Sequence, residues 1–165
     1  YNSTTTKFKG GRIVPKKILV AVDLSKVSEE VFAYGCSLAL RLGVHASFIH
    51  VMPHPTLWKG YEPWLPPEID MEISEIARKK LEYYFRKAKE RMPELANVKY
   101  DMIVKEGSPS DVIIDYAKEG DYNLIVIGYR GQSTIERLVV GSTAANVARY
   151  AHCSVLIYRP GLDIL

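Results

Sequence analysis

Two rhythms of apolar residues alternate along the chain. A short run from Asn123 to Ile127, ending at Gly128, is apolar enough to be covered on both faces, as a central strand of a parallel sheet is, and Lys17 to Val22, Val44 to Met52 and Val155 to Tyr158 read as further strands. Val98 to Val104 is a weaker run with partial alternation. Between these runs the apolar positions recur every three or four residues, which is the period of a helix with one buried face. Val27, Val31, Tyr34, Leu38 and Leu42 predict a first helix, closed by Gly43 as a C-cap glycine would close it. Ile69, Ile73, Ile76, Ala77, Leu81, Tyr84, Phe85 and Ala88 predict the inner face of a long helix from Glu68 to Met92, with Arg78 to Lys80 and Arg86 to Arg91 on its solvated side. A third helix opens with Ser108 as N-cap, Pro109 at the first helical position and Asp111 in the first turn, buries Val112, Ile113, Tyr116 and Ala117, and stops at Gly120. The small residues Ala144, Ala145, Val147, Ala148 and Ala151 predict a fourth.

Strands and helices in strict alternation predict an α/β fold, an open doubly wound sheet of five parallel strands with helices on both faces. The short connections force right-handed crossovers. In the common order 3-2-1-4-5 the first strand lies beside the fourth, and ligands of such sheets lie outside the carboxyl ends of the strands where the chain switches sides. That places Asp23, which closes the first strand, beside Gly128, which closes the fourth. Residues 1–14 read as a polar tail and 15–165 as a single domain.

The stretch after the fourth strand has the outline of an anion site. Gly128-Tyr129-Arg130-Gly131 is followed, after nine residues, by Gly141-Ser142-Thr143 and the small-residue helix. Glycines let backbone N–H groups approach a phosphate, and the first turn of a helix adds unpaired donors and the positive end of its dipole. Ser142 and Thr143 supply hydroxyls and Arg130 a forked cation. Ser142 also suits a plain N-cap, Arg130 also suits solvent, and Asp23 also suits a cap on the turn that follows it. Leu138, Val139 and Val140 are apolar enough to anchor the loop to the body, which leaves Gln132 to Thr134 nearer a ligand.

The spacing Gly-x2-Gly-x9-Gly-Ser/Thr resembles the nucleotide-binding signature of the universal stress protein family. The resemblance extends to Ile18-Leu19-Val20-Ala21-Val22-Asp23-Leu24-Ser25 at the start and to Val147 through Pro160 at the end, so that roughly residues 16 to 160 are covered. It implies an ATP-binding domain, with AMP or ADP as related ligands. In it Gly128, Arg130, Gly131, Gly141, Ser142 and Thr143 would hold the phosphates, Asp23 would take the ribose or adenine side, and the backbone near Val51 would read the base edge. Ala21 and Val22 would add backbone or apolar contacts. It also implies a homodimer through the last strand, at Val155, Leu156, Ile157 and Tyr158. Ser154 stands where the family often has proline, a change at the entry to that strand.

Several functions recede on chemistry. No Lys precedes Ser142, so the loop is not a Walker A sequence, and a GxGxxG dinucleotide fingerprint is absent. Magnesium or manganese accompanying a triphosphate would bind mainly phosphate oxygens and water. His50 and His54 are separated by Pro53 from any shared helical face, which disfavours a protein-built metal site. Glu136 is the only carboxylate inside the loop and Asp23 a weak base, so slow or absent hydrolysis is the expectation, with a weak ATPase as an alternative. A formal net charge of +3 is too small to argue for a nucleic-acid surface, and no apolar run approaches the roughly 18 to 20 residues of a membrane span. Cys36 and Cys153 lie in apolar segments without CxxC spacing and read as buried free thiols of a cytoplasmic protein. Pro53 to Pro67 holds five prolines together with Trp58, Tyr61 and Trp64, which predicts an irregular excursion whose aromatics anchor it to the body. Two classes of function follow: a regulatory module that reports nucleotide occupancy, and an interaction protein of the same fold with a vestigial pocket.

Overall fold

Among the described residues, residue order becomes spatial order through nine regular elements. These are β1 (Lys17–Ala21), α1 (Lys26–Leu42), β2 (His45–Met52), α2 (Pro67–Arg91), β3 (Tyr100–Glu106), α3 (Pro109–Glu119), β4 (Leu124–Gly128), α4 (Ser142–Tyr150) and β5 (Ser154–Tyr158), with a short 3-10 helix at Pro93–Asn97. The structure, a computed structural model, describes residues 16–53, 67–129 and 140–159, and at Lys26 and residues 67–73 the backbone only. The strands form one parallel sheet in the order β3-β2-β1-β4-β5, as the alternation predicts. At its centre Ala21 pairs with Ile49 of β2 on one side and Ile127 of β4 on the other. Among the described residues no helix is long and apolar enough to cross a membrane.

Side chains alternate across a strand, so each run feeds two layers. Ile18, Val20, Val22, Phe48 and Val126 face α1 and α2, where Phe32 stacks on Phe48 with ring centroids 3.9 Å apart. Leu19, Ala21, Ile49, Val51, Ile125 and Ile127 face α3 and α4 and meet Ile113, Ala117, Ala144 and Val147. Among the described residues of the second layer, the Tyr122 hydroxyl donates to Ser47 Oγ at 2.6 Å, and both residues are buried.

Several expectations shift in detail. The tightest contact of α1 is made by Val31, Phe32, Gly35, Cys36 and Ala39, while Val27, Tyr34, Leu38 and Leu42 are only half-buried. The reason lies in Gly35: a Cβ there would sit 2.7 and 2.9 Å from the two Val20 Cγ atoms, so the helix approaches β1 more closely than any side chain would allow. On α2, Ala77, Leu81, Tyr84 and Ala88 are buried as expected, but Ile76 is 59% exposed. The side chains of Ile69 and Ile73 lie outside the described residues, as does the segment holding Trp58, Tyr61 and Trp64. β3 starts at Tyr100 rather than Val98, because the 3-10 helix takes up the chain before it and Val98 N–H closes that helix on the Leu95 carbonyl. Ser108 occupies the N-cap of α3 without a side-chain cap hydrogen bond. On α4 only Ala144 and Val147 are buried, and Ala145 and Ala148 are exposed. Cys36 is fully buried, whereas Cys153 is half-buried.

Candidate functional site

β1 and β4 are neighbours, so the turn after Ala21 and the turn after Gly128 leave the same edge of the sheet. Asp23 is folded into the first turn. Its N–H donates to Ser28 Oγ at 3.0 Å, the Ser28 hydroxyl donates back to Asp23 Oδ1, and Ser25 N–H donates to the same oxygen at 3.1 Å. The turn-capping role that Asp23 suits by residue type is therefore realised. It leaves a carboxylate, which has acceptor sites on two oxygens, on the carboxyl edge of the sheet.

Leu24 follows with a φ of 64°, a left-handed conformation that costs a non-glycine residue roughly 1–2 kcal/mol. Contacts from two other elements hold this turn. His50, near the end of β2, lies 2.9 Å through Nδ1 from the Val22 carbonyl, and since a carbonyl only accepts, Nδ1–H is the donor. The Tyr84 hydroxyl of α2 donates to the Ser25 carbonyl at 2.8 Å. The Val22 N–H is bound to the Ile49 carbonyl at 3.0 Å. Burial lowers the pKa of His50, opposed by its bond to Val22 and by the negative charge of Asp23. Burial pushes Tyr84 up to about 12, with Asp23 and Glu29 adding to the shift. The Ser25 hydroxyl is buried and has no hydrogen-bond partner among the described residues.

The second turn is tied at its base. Tyr129 N–H donates to the Tyr158 carbonyl at 2.7 Å, and Gly141 N–H donates to the Tyr129 carbonyl at 2.9 Å. Gly141, not Ser142, is the N-cap of α4, and Ser142 is the first helical residue. Ala145 N–H makes the first helical bond, to the Gly141 carbonyl, so the N–H groups of Ser142, Thr143 and Ala144 precede the helical ladder. Ser142 is exposed and Thr143 half-buried. Val140 packs against the Leu19–Ile125 layer as an anchor should. Arg130, Gly131 and the rest of the loop through Val139 lie outside the described residues.

Ala21, Val22 and Val51 are buried in the sheet, each under 8% exposed, so any contact they make with a ligand is through the backbone. Sequence reasoning singled out neither His50 as part of this edge nor Arg159, whose guanidinium stands 5.1 Å from the Tyr129 ring centre just beyond β5. Position in the strand was the available signal for His50, since the pairing of Ala21 with Ile49 brings the next residue of β2 level with Val22. Among the described residues no three His, Cys, Asp or Glu side chains converge, and His54 lies outside them. An open depression of about 600 Å³ lined by Asp121, Tyr122, Asn123, His152, Cys153 and Ser154 lies at the amino ends of β4 and β5, away from the Asp23 turn.

Residues 15–159 match the model of the universal stress protein family. A universal stress protein of Methanocaldococcus jannaschii is 30% identical over 92% of this chain and 86% of its own length. Among solved structures, universal stress protein UspA from Lactobacillus plantarum is 26% identical with a TM-score of 0.63, covering 87% of this chain and 97% of that one. The fold is also shared with a universal stress protein from Archaeoglobus fulgidus in complex with dAMP, at 23% identity and a TM-score of 0.60 over 88% of this chain and 98% of that one. A universal stress protein in complex with cAMP shares it at 22% identity and a TM-score of 0.57, over 87% of this chain and 96% of that one. With the whole sheet and both turns inside the matched region, the chain belongs to the universal stress protein family.

Proposed function

We propose that this protein binds an adenine nucleotide, ATP in particular, at the carboxyl edge between β1 and β4, and that occupancy rather than turnover is its output. One observation carries the reading: the strand order sets the Asp23 turn and the start of α4 at Gly141-Ser142-Thr143 on the same edge. The N–H groups of Ser142, Thr143 and Ala144 suit a phosphate, as does the dipole of α4. Asp23 suits hydroxyl donors of the sugar, and the backbone at Val51 suits the base. Arg130 and Gly131 complete the phosphate side in this reading. Its support from relatives is that members of the same fold have been seen with cAMP and dAMP.

Turnover is disfavoured because Asp23 Oδ1 already accepts from Ser25 and Ser28, a poor arrangement for a base that must orient water. A magnesium or manganese ion arriving with a triphosphate would take its ligands mainly from phosphate oxygens and water. β5 ends the sheet with Val155, Leu156, Ile157 and Tyr158 half-buried, and an apolar edge of this kind suits pairing with a second copy. The free thiols of Cys36 and Cys153 suit the cytoplasm.

Calorimetry with ATP, AMP, cAMP, dAMP and GTP tests the reading, together with mass spectrometry of whatever nucleotide co-purifies. Binding of ATP that falls about ten- to a hundredfold in Asp23→Ala is the expected result, the loss of one charge-assisted hydrogen bond. No adenine nucleotide bound at millimolar concentration would leave the vestigial-pocket alternative standing.

A further inference from the structure

We infer that His50 and Tyr84 are positioning residues of the nucleotide site, two donors outside the β1–α1 turn that hold the carbonyls on either side of Asp23 and Leu24 and so aim the carboxylate at its ligand. The inference rests on the nucleotide-binding reading above. The geometry is that of a clamp. His50 Nδ1–H takes the Val22 carbonyl at 2.9 Å from β2, and the Tyr84 hydroxyl takes the Ser25 carbonyl at 2.8 Å from α2. Ile49 fixes the Val22 N–H at the same level. Between the two clamped carbonyls the chain runs only through Asp23, Leu24 and the N–Cα of Ser25, and Leu24 is in the left-handed region, which a non-glycine residue keeps only where its surroundings over-determine it. Ser28 then fixes the carboxylate itself.

Packing alone does not call for these two side chains. His50 lies on the same face of β2 as Phe48, the face that supplies the α1 and α2 layer, and an apolar residue would fill that position without desolvating an imidazole. Phenylalanine would fill the place of Tyr84 equally well. Of the charged and titratable groups around the clamp, Asp23 in the β1–α1 turn acts on His50, while Asp23, Glu29 of α1 and Tyr83 of α2 act on Tyr84, and the Lys80 ammonium of α2 stands 5.3 Å from the Tyr84 ring centre. Lys105 and Glu106 of β3 pair with Val51 and Met52, the positions next along β2. A proton added to His50 puts a positive charge on the ring that holds the Val22 carbonyl, one residue from Asp23, so the imidazole makes the clamp sensitive to pH.

ATP affinity measured by calorimetry between about pH 5 and 8 in wild type, Tyr84→Phe, His50→Leu and His50→Asn tests the clamp, with melting curves to establish that each is folded. Tyr84→Phe and His50→Leu should bind about tenfold more weakly than wild type at the alkaline end. His50→Asn keeps a donor at the Nδ1 position for the Val22 carbonyl and should bind within about twofold of wild type there, while losing the part of the pH dependence that belongs to the imidazole. Wild-type affinity and wild-type pH dependence in all three folded variants would overturn the inference, as would lowered melting temperatures with unchanged affinity, because the two residues would then only stabilise the fold. A wild type that takes up no nucleotide would overturn the functional reading and this inference with it, whereas binding that ignores the substitutions overturns the clamp alone.

Discussion

Gly35→Ala sets helix propensity against packing at one atom, and the structure says which prevails. An alanine gains about 1 kcal/mol over glycine inside a helix. At Gly35, however, the new methyl would sit 2.7 and 2.9 Å from the Val20 Cγ atoms and 3.3 Å from Phe48 Cε1. Val20 is wholly buried in the central strand, flanked by β2 and β4, so it has no free rotamer into which to retreat. Overpacking of a filled core costs about 1–3 kcal/mol, and two contacts this short belong at the upper end. The net expectation is a loss of about 2 kcal/mol, or a fall in Tm of roughly 4–8 °C for a chain of this size. Urea unfolding followed by circular dichroism measures it, with Val20→Ala as the second leg of a double-mutant cycle. Val20→Ala removes the two atoms that the new methyl would strike, so the double variant should be about 3 kcal/mol more stable than the sum of the singles, the whole of the overpacking cost. A Gly35→Ala protein as stable as wild type, or more so, would refute the close approach of α1 to β1.

Three further outcomes follow from other parts of the molecule. Tyr122→Phe should cost about 1–2 kcal/mol by stranding the buried Ser47 hydroxyl, and adding Ser47→Ala should recover part of it, both read by urea unfolding. Burial pushes the Cys36 thiol up to about 12, so native protein at about pH 8 should resist labelling there with a disulfide reagent, and mass mapping should find Cys36 modified only through unfolding. His50 has its pKa lowered in the folded state from 6.5, so as pH falls through 6.5 the unfolded chain takes up the proton first and this residue's stabilising contribution declines until the folded pKa is reached. The difference in unfolding free energy between wild type and His50→Gln should thus be constant above about pH 7.5 and change across that acid window.

The sheet was legible because its logic is periodic. Five apolar runs separated by helical stripes leave few topologies open, and the chain takes the commonest order. The burial of α1 was less legible because its closest contact is made by Gly35, Cys36 and Ala39, whose small side chains carry little weight in a hydrophobic pattern. Ile76 misled in the opposite way, an apolar residue at the right spacing that faces solvent. At the site, Asp23 and Gly141 could be placed from glycine spacing and strand ends. His50 could not, because its partner is a backbone carbonyl on another strand, and no rule of sequence spacing joins positions 22 and 50. Tyr84 was read as core, which it is; its hydroxyl, reaching the Ser25 carbonyl, is a property of the packing of α2 against α1.

The hydrogen bond from Gly141 to Tyr129 has a consequence for engineering. It joins Tyr129 to Gly141 across eleven intervening residues, at a neck that is itself tied to β5 through Tyr158. Once a neck has closed a loop, each doubling of the loop's length costs only about 0.6 kcal/mol. A reporter peptide or a fluorescent module spliced between Tyr129 and Val140, which leaves the neck and the Val140 anchor in place, should therefore cost the fold little, turning this position into a graft point.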